Sequence, residues 1–165
     1  MHRAPYPLPM VDVLVVLASK SDKEVGDQAR DMLRQFDVSH EVIIASAHRT
    51  PEHLRRLVEN TAAKVIIAVA GLSAALPGAI AAHTTKPVIG VPVSGKISLD
   101  SLLSVVQMPP GVPVAAVGLD RGENAALLAV QILALSEPEL SKKLHEHRRK
   151  LEEWVLEDNK TLGKD

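Results

Sequence analysis

Apolar residues along this chain fall into two alternating patterns. Short apolar runs rich in β-branched residues occur at 11–17 (VDVLVVL), 40–45 (HEVIIA), 64–70 (KVIIAVA), 87–93 (PVIGVPV) and 113–118 (PVAAVG). They have the length and composition of strands buried on both faces. Between them lie stretches with helical spacing. Val25, Ala29, Met32, Leu33 and Phe36 mark an amphipathic helix to about residue 36, with Ser21 or Asp22 as its N-cap. Pro51 suits the first turn of a second helix to about residue 61, whose apolar face is Leu54, Leu57 and Val58. Further helices are predicted over about 76–83, 99–106, 124–135 and 137–157; the third of these is alanine-rich and almost wholly apolar, the last charged.

Strand and helix thus alternate five times through short connections. That is the pattern of an α/β fold with a doubly wound parallel sheet. Residues 1–10 read as a flexible tail, 11–136 as one catalytic domain and 137–165 as a C-terminal helical arm of it. In such sheets ligands bind where strands end and helices begin. The segments of interest are therefore 18–22, 46–51, 71–78, 93–99 and 118–124, and every polar cluster with chemical promise lies in one of them.

Composition narrows the picture. The 165 residues are 46% hydrophobic but only 2% aromatic, so the core must be aliphatic. Nineteen basic side chains against twenty acidic ones argue against a nucleic-acid partner held by bulk charge. The absence of cysteine removes disulfides, thiolate metal sites and a thiol nucleophile, and fits a cytoplasmic protein. No run approaches the length of a membrane span, and the first ten residues lack a signal-peptide core.

Three loops carry the candidate chemistry. Ala18-Ser19-Lys20-Ser21-Asp22 lets backbone N–H groups approach an anion at a helix start, and Asp22 suits either a ribose hydroxyl or the helix cap. The glycine spacing of a P-loop or dinucleotide fingerprint is missing. Ser46-Ala47-His48-Arg49-Thr50-Pro51 sets a hydroxyl, an imidazole and a guanidinium on one turn. Arg49 with Ser46 suits a phosphate, and His48 is a natural proton shuttle near neutral pH. Gly71-Leu72-Ser73-Ala74-Ala75-Leu76-Pro77-Gly78 holds no acid or base, and its small residues let a ligand ring or another subunit pass close. The other histidines, at 2, 40, 53, 83, 145 and 147, have no metal-ligand spacing with an acidic partner, so no metal is expected. No nucleophile-elbow motif is present.

At this point the chain resembles the PurE family. Ser19-Lys20-Ser21-Asp22, Ser46-Ala47-His48-Arg49-Thr50-Pro51, Leu76-Pro77-Gly78, Gly90-Val91-Pro92-Val93, Asp100-Ser101-Leu102-Leu103-Ser104, Gln107-Met108-Pro109, Gly111-Val112-Pro113-Val114 and Asn124-Ala125-Ala126-Leu127 match it in order and spacing. The resemblance implies a flavodoxin-like, three-layer αβα sandwich plus a C-terminal helix. It implies purine biosynthesis: action on 5-aminoimidazole ribonucleotide, or its N-carboxylated form, to give 4-carboxy-5-aminoimidazole ribonucleotide. It implies His48 as general acid/base, and a substrate site of Ser19, Asp22, Ser46, Ala47, Arg49, Gly71, Ser73, Ala75 and Leu76. No metal or organic cofactor is implied, and the family typically forms homo-octamers with sites at subunit junctions. Such an assembly would account for the apolar helix over 124–135 and an exposed C-terminal arm.

Two departures stand out. Ala18 replaces a usual glycine. In the third loop, the mutase class keeps a histidine where this chain has Ala75, and the class using carbon dioxide directly has a serine like Ser73 and a small residue like Ala75. Gly90-Val91-Pro92-Val93 and Gln107-Met108-Pro109 resemble the mutase class instead. The expectation favours a phosphoribosylaminoimidazole carboxylase, with an N5-carboxyaminoimidazole ribonucleotide mutase as the alternative and a non-catalytic nucleotide-phosphate sensor as a rival from another class.

Overall fold

A computed structural model describes residues 10–162. Five strands, β1 (Val13–Leu17), β2 (His40–Ile44), β3 (Val65–Ala70), β4 (Val88–Pro92) and β5 (Ala115–Ala116), form one parallel sheet in the order β2-β1-β3-β4-β5. Six α-helices connect or follow them: α1 (Lys23–Gln35), α2 (Pro51–Asn60), α3 (Leu76–Ala81), α4 (Ser98–Val106), α5 (Gly122–Ala134) and α6 (Pro138–Thr161). This is the expected flavodoxin-like order, whose winding direction reverses between β1 and β3.

The strands are apolar throughout because both faces are covered. Val13, Val15 and Leu17 of β1 point into one core with α1, α5 and Leu140 of α6. Leu14 and Val16 point into the other, with α2, α3 and Val105 of α4. A strand with alternate residues in two cores has no polar face, so its sequence reads as an unbroken apolar run. Truncating a side chain such as Leu14, which is fully buried, costs about 2–5 kcal/mol.

The first layer is closed by a tight helix–helix contact. Gly122 opens α5 against α1, and a Cβ there would lie 2.1 Å from the Val25 carbonyl oxygen. The Gly122 N–H donates to Gln28 Oε1 at 3.2 Å across the same contact. The other end of α1 is stopped by Asp37 at φ 56°, with Asp37 N–H donating to Arg34 O and Val38 N–H to Leu33 O, both at 3.0 Å. That paired bonding satisfies the last carbonyls of the helix and buries Phe36 and Val38 on the core.

Several expectations need correction. The fifth strand is only Ala115–Ala116, with both residues exposed, because it is the sheet edge and Pro109, Pro110 and Pro113 precede it without backbone N–H groups to donate. The apolar helix over 124–135 needs no partner to explain it. Ala125, Ala126, Ala129, Val130 and Leu133 of α5 are buried within this chain, and small residues there let α1 come close. His147, read as unremarkable, packs edge-on against Phe36 at 5.6 Å between centroids. The helix over 137–157 continues to Thr161, held at its start by buried Leu140. The tail over residues 1–9 lies outside the described residues.

Candidate active site

The carboxyl ends of β1 to β4 surround a cavity of about 520 Å³ at the β1/β3 reversal. Residues from four strand-end loops line it, and all ten side chains and backbone positions expected from the sequence are among them: Ser19, Asp22, Ser46, Ala47, His48, Arg49, Gly71, Ser73, Ala75 and Leu76. Val93, Ser94 and Gly95 of the fourth loop form a further wall. The fifth loop contributes no lining residue. A larger cavity of about 850 Å³ opens at the opposite end of the sheet, among Glu59, His83, Lys86 and Gly111 to Pro113, where loops enter strands. The strand-end cavity is the candidate site because it lies at the carboxyl ends of the strands beside the reversal of winding, where open α/β sheets bind ligands.

The first loop is ordered by its own side chains. Ser19 caps a 3-10 turn over Lys20–Asp22, accepting at Oγ from Ser21 N–H at 3.1 Å. Asp22 Oδ2 accepts the Ser19 N–H at 2.8 Å, closing a reciprocal capping box. Asp22 therefore caps with one oxygen, as Ser19 does with its hydroxyl, and makes no side-chain cap to α1 itself. Its second oxygen, Oδ1, has only a long contact of 3.5 Å from Ser21 Oγ and is open to a ligand hydroxyl. Asp22 as a whole residue is 5% exposed. Burial pushes the Asp22 carboxyl above the usual carboxylate range, and the Ser19 N–H, the Ser19 and Ser21 hydroxyls and the Arg49 charge pull back against it.

The second loop is tied in the same manner. Thr50 Oγ1 accepts the Ser46 N–H at 2.9 Å and donates to Ser46 O at 3.2 Å. Ser46 Oγ accepts from the Arg49 backbone N–H at 3.2 Å and from Arg49 Nε at 3.3 Å. Arg49 Nη2 donates to Ala18 O at 3.0 Å, which links the second loop to the first. The guanidinium is thereby aimed at the start of the 3-10 turn with the rest of its donors unspent. His48, next in the chain, presents an exposed imidazole to the cavity.

The third loop carries backbone strain. Leu72 and Ala74 adopt φ of 53° and 22°, a region that L-residues with a Cβ enter at a cost of about 1 kcal/mol or more each. The Ala74 N–H donates to Gly71 O at 3.0 Å, closing the tight turn responsible. The turn lays the small residues Gly71, Ser73 and Ala75 along the cavity, with Leu72 and Leu76 beside them. Composition indicated a close approach here; nothing in it signalled the strain. Sequence reasoning also missed Thr50 as the anchor of Ser46, and Ser94 and Gly95 as lining residues.

Among the described residues no group of three histidine, aspartate or glutamate side chains is placed to hold a metal ion, and no helix is long and apolar enough to cross a membrane.

Comparison with known proteins gives these residues a context. The AIR carboxylase family profile matches residues 12–154. The N5-carboxyaminoimidazole ribonucleotide mutase of Methanocaldococcus jannaschii is 54% identical over 144 residues, which cover 87% of this chain and 92% of that protein. The phosphoribosylaminoimidazole carboxylase of Candida glabrata is 47% identical over 148 residues, covering 87% of this chain but 26% of that longer protein. The crystal structure of Treponema denticola PurE superposes with a TM-score of 0.82 at 28% identity, covering 91% of this chain and 97% of that one.

Proposed function

The chain belongs to the AIR carboxylase (PurE) family, and from that premise we propose that it is an N5-carboxyaminoimidazole ribonucleotide mutase. The observation that carries this reading is the likeness to the Methanocaldococcus jannaschii mutase across nearly the whole of both chains. The carboxylase-named relative matches only in a quarter of a much longer protein. Those matches favour the alternative of the two reactions over the direct carboxylation expected from the third loop.

The geometry supports a division of labour. Arg49, held by Ala18 O and Ser46 Oγ, grips the nucleotide phosphate with its remaining donors. Asp22 Oδ1 accepts a ribose hydroxyl, and Ser19 and Ser46 line the same end. The imidazole ring lies along Gly71, Ser73, Ala75 and Leu76, beside Ala47 and His48. Protonated His48 gives its proton to the exocyclic nitrogen as the N–C bond to the carboxylate breaks and carbon dioxide leaves. Carbon 4, the nucleophilic carbon of the enamine, then attacks the retained carbon dioxide. Neutral His48 takes the proton from the tetrahedral carbon 4, restoring the aromatic ring and its own charge. Protons balance over the cycle, and no group outside the chain and substrate is needed. Retaining carbon dioxide depends on the small-residue wall beside His48.

The third loop supports direct carboxylation as a second reading, through Ser73 and through Ala75 in place of a histidine. The two reactions share attack at carbon 4 and differ in the source of carbon dioxide. Purified protein is therefore given the N-carboxylated nucleotide in one arm, and aminoimidazole ribonucleotide with bicarbonate in another. Rapid turnover only in the first arm is expected; turnover at least as rapid in the second establishes the carboxylase. Product in neither arm leaves a nucleotide-binding protein without this chemistry. His48→Asn is expected to lose turnover by at least a thousandfold while keeping nucleotide affinity within about threefold. Wild-type-like turnover in that variant removes His48 from the mechanism.

Assembly as a homo-oligomer, an octamer by family resemblance, belongs to the same reading. Exposed Ile97, Leu99, Leu103 and Val106 around α4, and Trp154, Val155 and Leu156 on α6, supply apolar surface of the kind that subunits cover. Light scattering at the mass of a single 17.7 kDa chain would refute it.

A further inference from the structure

The fifth strand-end loop does not touch the cavity, yet it holds the loop that does. Beyond β5 the chain turns through residues 118–121, with Arg121 N–H donating to Gly118 O at 3.2 Å and Asp120 at φ 58°. Beside β4 the Val117 N–H donates to Gly90 O at 3.2 Å and the Asp120 N–H to Pro92 O at 2.9 Å, three residues against two, so an extra residue interrupts the parallel ladder at the turn. In a parallel ladder, the residue whose N–H reaches one carbonyl accepts in return at its own carbonyl, from the N–H two residues further along the partner strand. The N–H owed such a partner is that of Ser94. Ser94 N–H donates not to a backbone carbonyl but to Asp120 Oδ1 at 2.8 Å.

Val93 is tied separately, its N–H donating to Ala70 O at 2.9 Å and its side chain packing on the core; beyond it the fourth loop has little else. Gly95 N–H donates to Ser98 Oγ at 3.3 Å, and Ser98 Oγ donates to Gly95 O at 3.2 Å, which ties the loop only to itself. A Cβ at Gly95 would meet nothing within 4 Å, so packing does not hold that end. Lys96 and Ile97 are exposed. Val93, Ser94 and Gly95 nevertheless form one wall of the cavity.

We propose that Asp120 is a positioning residue for the substrate cavity, its carboxylate serving as the acceptor for the Ser94 N–H and so fixing residues 94–95 in the fourth wall. The two demands on the position are an acceptor one bond beyond the backbone and tolerance of positive φ, which aspartate and asparagine meet best among residues with a Cβ. The inference rests on the proposed function for its catalytic consequence and on the Ser94–Asp120 bond alone for the tether.

Two substitutions separate the acceptor from the backbone conformation. Asp120→Gly keeps the positive φ without strain and removes the acceptor; Asp120→Asn keeps both. For Asp120→Gly, KM for the nucleotide is expected to rise roughly tenfold, the loss of one bond to a charged acceptor, with kcat within about threefold. Asp120→Asn is expected to restore KM to within about twofold of wild type. Amide exchange of the ligand-free protein gives the second readout: protection at Ser94 should fall in Asp120→Gly and persist in Asp120→Asn. With an active wild type, an unchanged KM in Asp120→Gly, a loss confined to kcat, or no rescue by asparagine overturns the positioning role. Unchanged protection at Ser94 in Asp120→Gly overturns the tether whether or not the protein is active. A wild type inactive on both substrates counts against the proposed function instead.

Discussion

Arg49→Ala tests the anion end of the site in quantitative terms. A guanidinium has five N–H donors. In this structure Nε is spent on Ser46 Oγ and one Nη2 hydrogen on Ala18 O. Both Nη1 hydrogens and the second Nη2 hydrogen remain, which is enough for a two-point grip on a phosphate. Hydrogen bonds to charged partners contribute about 1.5–3 kcal/mol each, and the exposure of Arg49 places these at the low end. Two of them give about 3 kcal/mol, so alanine is expected to weaken nucleotide binding by roughly 150-fold. Arg49→Lys keeps the charge but loses the fork and its anchor on Ser46, and is expected to cost roughly tenfold. Isothermal titration with aminoimidazole ribonucleotide at low salt measures both. Repeating the titration at higher salt should narrow the gap between wild type and alanine, because exposed charge is screened. Alanine within threefold of wild type, or lysine equal to wild type, would refute the placement of the phosphate at Arg49.

Two further predictions concern the frame and the buried acid. Gly122→Ala puts a Cβ 2.1 Å from Val25 O and 3.1 Å from Ala29 N, so α1 and α5 must separate. The cost is expected at about 2–3 kcal/mol, a fall in Tm of roughly 5–10 °C by calorimetry, and a Tm within 1 °C of wild type would show that the contact yields freely. For Asp22, burial raises the folded pKa above the unfolded one, so the charged form disfavours folding. The stability this group contributes is full at low pH and is lost as pH rises through the folded value. Asp22→Asn is therefore expected to be at least as stable as wild type in urea at pH 7, with its advantage vanishing in acid, while nucleotide binding weakens. A variant clearly less stable than wild type at pH 7 would show that the capping carboxylate outweighs its burial.

The sequence was most legible where one pattern had one physical cause. Val13 to Leu17 and Val65 to Ala70 read as buried strands because both of their faces meet helices, and the structure has them within one or two residues of the expected bounds. The ten site residues converge because a parallel sheet brings its strand-end loops to one edge, whatever their side chains. Legibility failed where the cause was non-local. β5 shrinks to two residues because it is an edge, a property of strand order that its own sequence does not carry. The apolar run of α5 was assigned to an assembly because a helix buried on several sides within one chain shows the same composition. Asp120 drew no notice because its work is done on Ser94, 26 residues earlier.

The same reasoning locates the choice between the two reactions of the family. Under the proposed function His48 would serve both, since each ends with proton removal from carbon 4, and Arg49 and Asp22 would serve both, since each reaction holds the same ribose and phosphate. What differs is whether carbon dioxide is released inside the pocket or recruited from solution. The walls beside His48 that can govern its retention are the third and fourth loops. The third holds its shape under strain at Leu72 and Ala74, and the fourth is tied by the Val93 N–H to Ala70 O and by the Ser94 N–H to the Asp120 carboxylate. Strain persists only where the surroundings enforce it. Here the enforcing elements are the Gly71–Ala74 turn on one side and buried Leu76 and Pro77 of α3 on the other. Under the proposed mutase reading, small-residue walls leave room to hold a released gas molecule against carbon 4. This property is independent of a second imidazole at position 75, so Ala75 and a mutase are compatible.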